Sequence, residues 1–407
     1  MKEIKEQRTI PIKEEYDVIV TGGGIAGISA ALSSARNGAK TLLIEKQFLL
    51  GGLATAGLVT IYLPLCDGNG HQVSFGIAEE LLRLSIKHGY ESACGDWEDK
   101  YCPAWLEGGS IEEKKKKRFE VQFNANLFAI LCEKMLIENG VEILYGTSIC
   151  SAITENGKIT AVITENKSGR VGYTAKSFVD ASGDADLCFL AGEKTVQFKQ
   201  GNILASWYYE HLDDKYRLRM LGFSDVPDKY KTKSEETAKR RYTGLSGEEL
   251  TEMMINAHSS ILNDFLKKGG ITETHALGNI ATTPQIRMTR RIDGIYTMND
   301  EEQFKRFEDS IGMISDWRKA GPVYEIPFST LYGKNIKNLI TCGRCISVTE
   351  DMWDISRVIP ACAVTGQAAG TAAAMSDNFS QINVTKLQER LILAGVILHT
   401  SEISVCS

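Results

Sequence analysis

Residues 16–46, YDVIVTGGGIAGISAALSSARNGAKTLLIEK, restrict this chain more than any other stretch. Residues 17–20 read as a short buried strand that runs directly into Gly22-Gly23-Gly24-Ile25-Ala26-Gly27. Gly22, Gly24 and Gly27 stand at the three positions of a G-x-G-x-x-G turn. The first permits a tight exit from the strand, the second lets a pyrophosphate approach the backbone, and the third lets the following helix lie close on the sheet. That helix, expected over about residues 27–36, is built of small residues and stops at Asn37-Gly38, a helix-ending pair. Its free N–H groups and positive dipole end suit a phosphate. A second strand over residues 41–44 is closed by Glu45, followed by Lys46. An acid at that point accepts hydrogen bonds from ribose hydroxyls and repels a 2′-phosphate. Glycine-rich turns are common, but this order of elements specifies a dinucleotide-binding Rossmann unit of the α/β class.

The residues after Glu45 narrow the dinucleotide. Gly51-Gly52-Leu53-Ala54-Thr55-Ala56-Gly57 is a second glycine loop, placed where a simple NAD unit continues with a short connection. Far downstream, NLITCGRCIS and RVIPACAVTGQAAGTAAAM predict a buried strand over residues 339–342, a tight turn at Gly343-Arg344 and a helix beginning near Pro360. That helix, mostly Ala, Gly and Thr, can lie close on the first one and offer its N-terminus to a ligand.

On TGGGIAGISAA with Glu45, GGLATAGLV, VDASGDADLCFLAG, PQIRMTRRIDG and the closing TCGRCIS…RVIPACAVTGQAAGTAAA, the sequence resembles bacterial FAD-dependent oxidoreductases. These are of the glutathione-reductase-like Rossmann class, distantly related to the fumarate reductase and succinate dehydrogenase flavoproteins. The motifs occur in the family's order over nearly the whole chain. The resemblance implies FAD as cofactor, with Gly22, Gly24, Ile25, Ala26, Gly27, Glu45 and Lys46 at its ADP half. Gly51, Gly52 and Leu53, with Ala54 and Thr55, would pass beside the flavin, and Ala181, Ser182 and Gly183 would lie near the adenine. Gly343 and Arg344 would lie at the ribityl–pyrophosphate stretch. Gly366, Gln367 and Ala368 would place a helix N-terminus near the pyrimidine edge of the isoalloxazine. The chain departs from the family at Glu350 and Trp353, where relatives commonly carry His, and at Met288, where they often carry Glu.

The 407 residues exceed one ordinary core, so two joined domains are expected. The expected fold is a discontinuous FAD-binding α/β domain with a β-meander, residues 1–196 and 323–407, around an inserted α+β substrate domain, residues 197–322. Ile77, Leu81 and Leu84 mark one helical stripe, and Leu127, Ile130, Leu131 and Met135 another. A strand is expected over residues 141–145. Turn signals at Asn156-Gly157 and Ser168-Gly169 divide residues 147–174 into a three-stranded meander, and residues 176–181 would return as a separate Rossmann strand. Within the insertion, glycine signals vanish and residues 231–241 are strongly charged. Residues 384–397 read as an amphipathic helix.

A formal net charge of −6 gives no support for nucleic-acid binding, and the one basic run, residues 114–118, reads as a solvated loop or helix end. No apolar run is long enough to predict a membrane span. Ten scattered cysteines in a chain of this length point to reduced thiols and a cytoplasmic setting, and no metal site is expected. Cys342 and Cys345 read as structural.

Because a flavin carries the electrons, the protein's tasks are to place a substrate and manage a proton. Arg287, Arg290 and Arg291 lie in an expected strand, with Arg287 and Arg291 on one face and Arg290 on the other. Any of them, or Arg357, could bind a carboxylate or a developing enolate. His275, with His211 and Tyr324, is a candidate proton donor or acceptor, and Trp207-Tyr208-Tyr209 could line an aromatic pocket. The expected activity is hydride transfer between flavin N5 and a small anionic or unsaturated substrate, with a separate electron donor or acceptor. The alternative is a flavin-binding redox sensor or partner subunit without its own turnover. Oligomeric state is left open.

Overall fold

The computed structural model describes residues 3–89, 103–213, 215–222 and 240–405; of the charged stretch at 231–241, residues 231–239 lie outside these. β1 (Ile12–Thr21) leads through the glycine turn into α1 (Ile25–Arg36), and β2 (Thr41–Ile44) returns parallel to β1. The helix starts two residues ahead of expectation because Gly24, in extended backbone, serves as its N-cap. Gly22 has φ +98°, and a Cβ there would lie 2.5 Å from the Ala181 carbonyl oxygen. Only glycine lets β1 leave the sheet so close to its neighbour.

Next come the short β3 (Ile61–Tyr62), α2 (Ile77–Ser85), α3 (Pro103–Glu107), α4 (Ile111–Lys116), β4 (Val121–Gln122), α5 (Ala125–Glu138) and β5 (Glu142–Leu144). Lys114–Lys116 of the basic run form the last turn of α4, whose start is closed by a Ser110–Glu113 capping box, while Arg118 departs from the solvated reading: it is partly buried and donates to the Trp317 and Asp316 carbonyls. On α5 the buried face is Ala125, Phe128, Ala129, Cys132, Met135 and Leu136, while Ile130 is exposed. The buried face is therefore turned about the helix axis from the expected stripe. Phe128 decides the rotation by meeting Phe123 edge-on at 4.8 Å.

β6 (Ser148–Glu155), β7 (Lys158–Asn166) and β8 (Gly169–Asp180) form the meander. β8 does not end at residue 174. It continues as the Rossmann strand, because no Gly, Pro or Asn interrupts residues 173–180. It runs parallel to β1 from Gly172 to Asp180, while its other edge pairs first with β7 and then with β16 (Leu339–Thr341). The sheet order is β5-β2-β1-β8-β7-β6, with β16 also on β8.

Between these strands lie α6 (Asp186–Leu190), β9 (Thr195–Gln197), β10 (Ser206–Leu212), β11 (Lys215–Leu221), α7 (Gly247–Lys267), β12 (His275–Ile280) and β13 (Arg290–Ile292). β14 (Ser310–Ser315) and β15 (Val323–Pro327) pair antiparallel. The second sheet has the order β11-β10-β12, with α7 turning Met253, Ala257, Ile261 and Phe265 inward. After β16 come α8 (Glu350–Ser356), α9 (Ile359–Met375) and α10 (Val384–Leu393).

α9 lies in contact with α1. A Cβ on Gly366 would stand 2.3 Å from the Ala26 carbonyl oxygen, and one on Gly370 would stand 2.1 Å from that of Ala30. Ser33 and Thr371 share a hydroxyl–hydroxyl bond of 2.7 Å, and the Ser34 hydroxyl donates to the Gly370 carbonyl at 3.1 Å. Small residues on both helices bring two backbones together, and the apposed helices fix where both N-termini open. Among the described residues no single helix is long and apolar enough to cross a membrane.

Candidate active site

A cavity of about 500 Å³ opens at the carboxyl ends of β1, β2, β8 and β16, where open α/β sheets bind their ligands. Its wall includes Gly22, Gly24, Ile25, Ala26, Glu45, Lys46, Gly51, Gly52, Leu53 and Ala54 from the first two glycine turns. Ala181, Ser182, Gly183 and Arg344 join them from the later motifs. Nothing lies within 4 Å of the place a Gly24 Cβ would take, so this face of the turn is open. A Gly52 Cβ would approach Gly24 Cα at 3.2 Å, which brings the two glycine turns edge to edge. The N-cap residue of α1 is a glycine, so no side chain covers that helix's first N–H groups.

Glu45 is 7% exposed; its Oε2 accepts the Gly23 N–H at 2.6 Å and its Oε1 the Gln47 N–H at 2.8 Å. The carboxylate thus braces the turn, and Glu45 itself lines the cavity. Arg344 lies over Gly183, where a Cβ would meet Nη2 at 2.3 Å, and its buried Nε has no protein acceptor among the described residues. An open glycine cradle, an uncapped helix N-terminus, an acid at the ribose position and an arginine with a spare donor fit a dinucleotide pyrophosphate and ribose.

Several expected cofactor residues stand behind this wall. A Gly27 Cβ would fall 1.8 Å from the Gly22 carbonyl oxygen, so Gly27 sets the close approach of helix and strand. Thr55 supports its loop by donating to the Leu50 carbonyl. Gly343, φ +66°, faces Ala26 and donates its N–H to Thr365 Oγ1 at 2.9 Å. Gly366, Gln367 and Ala368 require a correction. They lie two turns inside α9, and the Gln367 Oε1 accepts the Ile77 N–H of α2 at 2.8 Å. The N-terminus that opens on the cavity belongs to Val358 and Ile359.

The other half of the cavity is apolar and carries two guanidiniums. Val59, Ile61, Trp207, Met220, Ile286 and Trp317 form much of its surface. Arg287, 6% exposed, precedes β13 and stacks on Trp207 with Cζ 4.8 Å from the ring centroid. Arg357 ends α8 and donates from Nη2 to Asp354 Oδ1 at 2.6 Å. Asp354 also meets Arg318 at 3.3 Å, and its carbonyl accepts the Trp317 indole N–H at 2.9 Å.

Arg290 and His275 lie away from this surface. Arg290 bonds to Asp184 and Asp186, and the ring of His275 is buried between Glu210, 3.3 Å from Nε2, and Phe265. His275 therefore helps close α7 over its sheet. Arg291 turns back to the Ile292 carbonyl and Ser347. Tyr324 donates to the Asp300 carbonyl, and His211 lies 4.7 Å from the Tyr216 ring. Burial pushes the Cys342 and Cys345 thiols well above their ordinary range, which suits inert packing rather than thiol exchange. Among the described residues no group of His, Cys, Asp or Glu is arranged to hold a metal ion.

Asp184 and Asp186 were missed as wall residues although they sit inside the VDASGDAD motif. Trp317 and Met220 gave no sequence signal, since only the fold brings them to the cavity. Burial beside Asp184 and Asp180 pushes the Asp186 carboxyl up to about 6, against the pull of Lys46 and Arg290.

Two glycine turns and two helix N-termini on one cavity, with an acid at the ribose position, define a dinucleotide-binding protein. The profile of the FAD dependent oxidoreductase family matches residues 17–203 and 194–391, and the chain belongs to that family. FAD is its cofactor. Over 81 residues the chain is 33% identical to a thioredoxin reductase of Ureaplasma parvum serovar 3, covering 20% of this chain and 26% of that protein. Over 243 residues it is 26% identical to an alkyl hydroperoxide reductase subunit from Staphylococcus aureus (strain MRSA252), covering 59% of this chain and 43% of that protein. The chain thus matches less than half the length of these curated relatives. Among solved structures, it is similar to a geranylgeranyl bacteriochlorophyll reductase-like protein from Thermoplasma acidophilum (16% identity, 96% and 87% coverage, TM-score 0.47). It is also similar to p-nitrophenol 4-monooxygenase from Pseudomonas putida DLL-E4 (12% identity, 93% and 84% coverage, TM-score 0.48).

Proposed function

We propose that this oxidoreductase oxidises or reduces a small organic acid with an unsaturated or apolar body. The observation that carries the reading is the pair Arg287, buried, and Arg357, partly buried, on the apolar half of the cavity that the glycine turns enter. When bound, FAD supplies two-electron chemistry, with hydride exchanged at flavin N5. The chain's own part is to bind and orient. A guanidinium fork recognises a carboxylate in a plane, and Asp354 keeps that of Arg357 aimed. Trp207, Trp317, Met220 and Ile286 exclude water and receive an apolar body. A separate electron donor or acceptor completes the cycle. The mostly buried thiols, unpaired among the described residues, accord with a cytoplasmic setting.

The division of labour also supports a discontinuous cofactor domain around a substrate domain at residues 197–322. That stretch contributes Trp207, Met220, Leu250, Ile286, Arg287 and Trp317 to the wall.

The test is a titration of the yellow holoprotein with unsaturated monocarboxylates and their matching amides, followed by the flavin absorbance bands. Carboxylates should shift the bands and amides should not, and Arg357→Met should weaken the response by about tenfold or more with FAD retained. An equal response to amides, or an unchanged one in both Arg287→Met and Arg357→Met, would sink the reading.

A further inference from the structure

Arg290 is three residues from Arg287 yet serves a different wall of the cavity. Its Nε donates to the Asp184 carbonyl oxygen at 3.0 Å and its Nη2 to Asp186 Oδ1 at 2.8 Å. The guanidinium also covers Phe189, with Cζ 4.3 Å from the ring centroid. Thr289 adds a second hold, its hydroxyl donating to Asp184 Oδ1 at 2.7 Å. From the opposite side Arg344 reaches the same oxygen at 3.4 Å.

The held segment is residues 182–186, of which Ser182, Gly183, Asp184 and Asp186 line the cavity beside the cofactor turns. Within this loop the Ser182 hydroxyl accepts the Asp186 N–H at 2.9 Å, but the backbone is strained. Gly183 and Ala185 both have positive φ, +84° and +51°, and Ala185 is not a glycine. Its inner anchor is Asp180, which accepts from the Ser182 hydroxyl at 2.6 Å and the Cys188 N–H at 2.8 Å. Thr289 and Arg290 hold Asp184 and Asp186, and Arg344, itself on the cavity wall, adds its contact to Asp184.

We propose that Thr289 and Arg290 are positioning residues for FAD, latching the 182–186 loop in the shape that receives the cofactor. The segment that presents Arg287 to the substrate side thereby also fixes the cofactor side.

The experiment measures the FAD dissociation constant of the apoprotein by flavin fluorescence for the wild type, R290M, R290K, D186N, T289V and R290M/D186N. R290M should raise the constant by about tenfold or more, as expected for lost charge-assisted bonds. R290K should recover part of the loss. D186N and R290M should be non-additive because they break the same contact. At saturating FAD, the band shift produced by a monocarboxylate should match the wild type. An unchanged FAD constant in folded R290M would overturn the proposal, and a lost carboxylate response alongside it would return Arg290 to the substrate. Additive effects of R290M and D186N would overturn it as well. If R290M fails to fold, T289V decides: a raised FAD constant supports the latch and an unchanged one overturns it.

Discussion

Glu45 does two jobs with one carboxylate, and they separate experimentally. Its oxygens hold the Gly23 and Gln47 N–H groups, so the turn is braced before any ligand arrives. Glu45→Gln keeps one acceptor oxygen but loses the charge, and Glu45→Ala loses both. FAD affinity measured by fluorescence should therefore fall in the order wild type, Gln, Ala, with the Ala variant weaker by about tenfold or more. Asp186 gives a pH signature at the same scale. With its carboxyl at about 6, the folded apoprotein holds this proton more tightly than the unfolded chain does. The stability it contributes is complete below a pH of about 4 and is lost as the pH rises through about 6. Its side chain is 47% exposed, so solvent keeps the effect to about 1 kcal/mol or less. Urea unfolding of apoprotein across that range should show the slope, and Asp186→Asn should flatten it.

The contact of α1 with α9 makes the sharpest prediction about elements. Gly370→Ala would place a methyl group 2.1 Å from the Ala30 carbonyl oxygen, so the helices must separate. The expected loss is about 1–3 kcal/mol in chemical denaturation, with weaker FAD binding because both helix N-termini move. An unchanged midpoint would show that the helices are not held this closely. These elements also show where sequence reading succeeds and where it stops. Gly22 and Gly51 were legible because their positive φ demands glycine, Gly24 because a bare backbone leaves the turn open, and Glu45 because its carboxylate closes the second strand. Gln367 was misplaced because polar residues within an apolar helix look alike whether they face a ligand or cap a neighbour. Arg290 was misread for a related reason. The TRR sequence fixes its charge, while its direction depends on a loop more than a hundred positions away in the chain.

For the whole molecule, cofactor and fold are thermodynamically linked. The cavity wall draws on both glycine turns, the 182–186 loop, Arg344 and the starts of two helices, so a bound ligand ties together segments distant in sequence. FAD at a hundred times its dissociation constant should add about 2.7 kcal/mol to stability. The melting temperature should rise with FAD concentration and fall when the flavin is stripped, and a concentration-independent melt would contradict this linkage. The apolar half of the cavity was the least legible from sequence: Trp207 was expected at a pocket, but Met220, Ile286 and Trp317 join it only through tertiary contacts.

β8 carries one more consequence. A single strand joins the surface meander to Asp180, whose carboxylate secures the cofactor loop at Ser182 and Cys188. The hairpin and the loop are therefore two ends of one rod, and neither can fray far without the other. In native-state hydrogen exchange, the amides of the inner meander and those at the end of β8 should open as one cooperative unit. FAD bound in the cavity should then also slow exchange along β7, none of whose residues line that cavity.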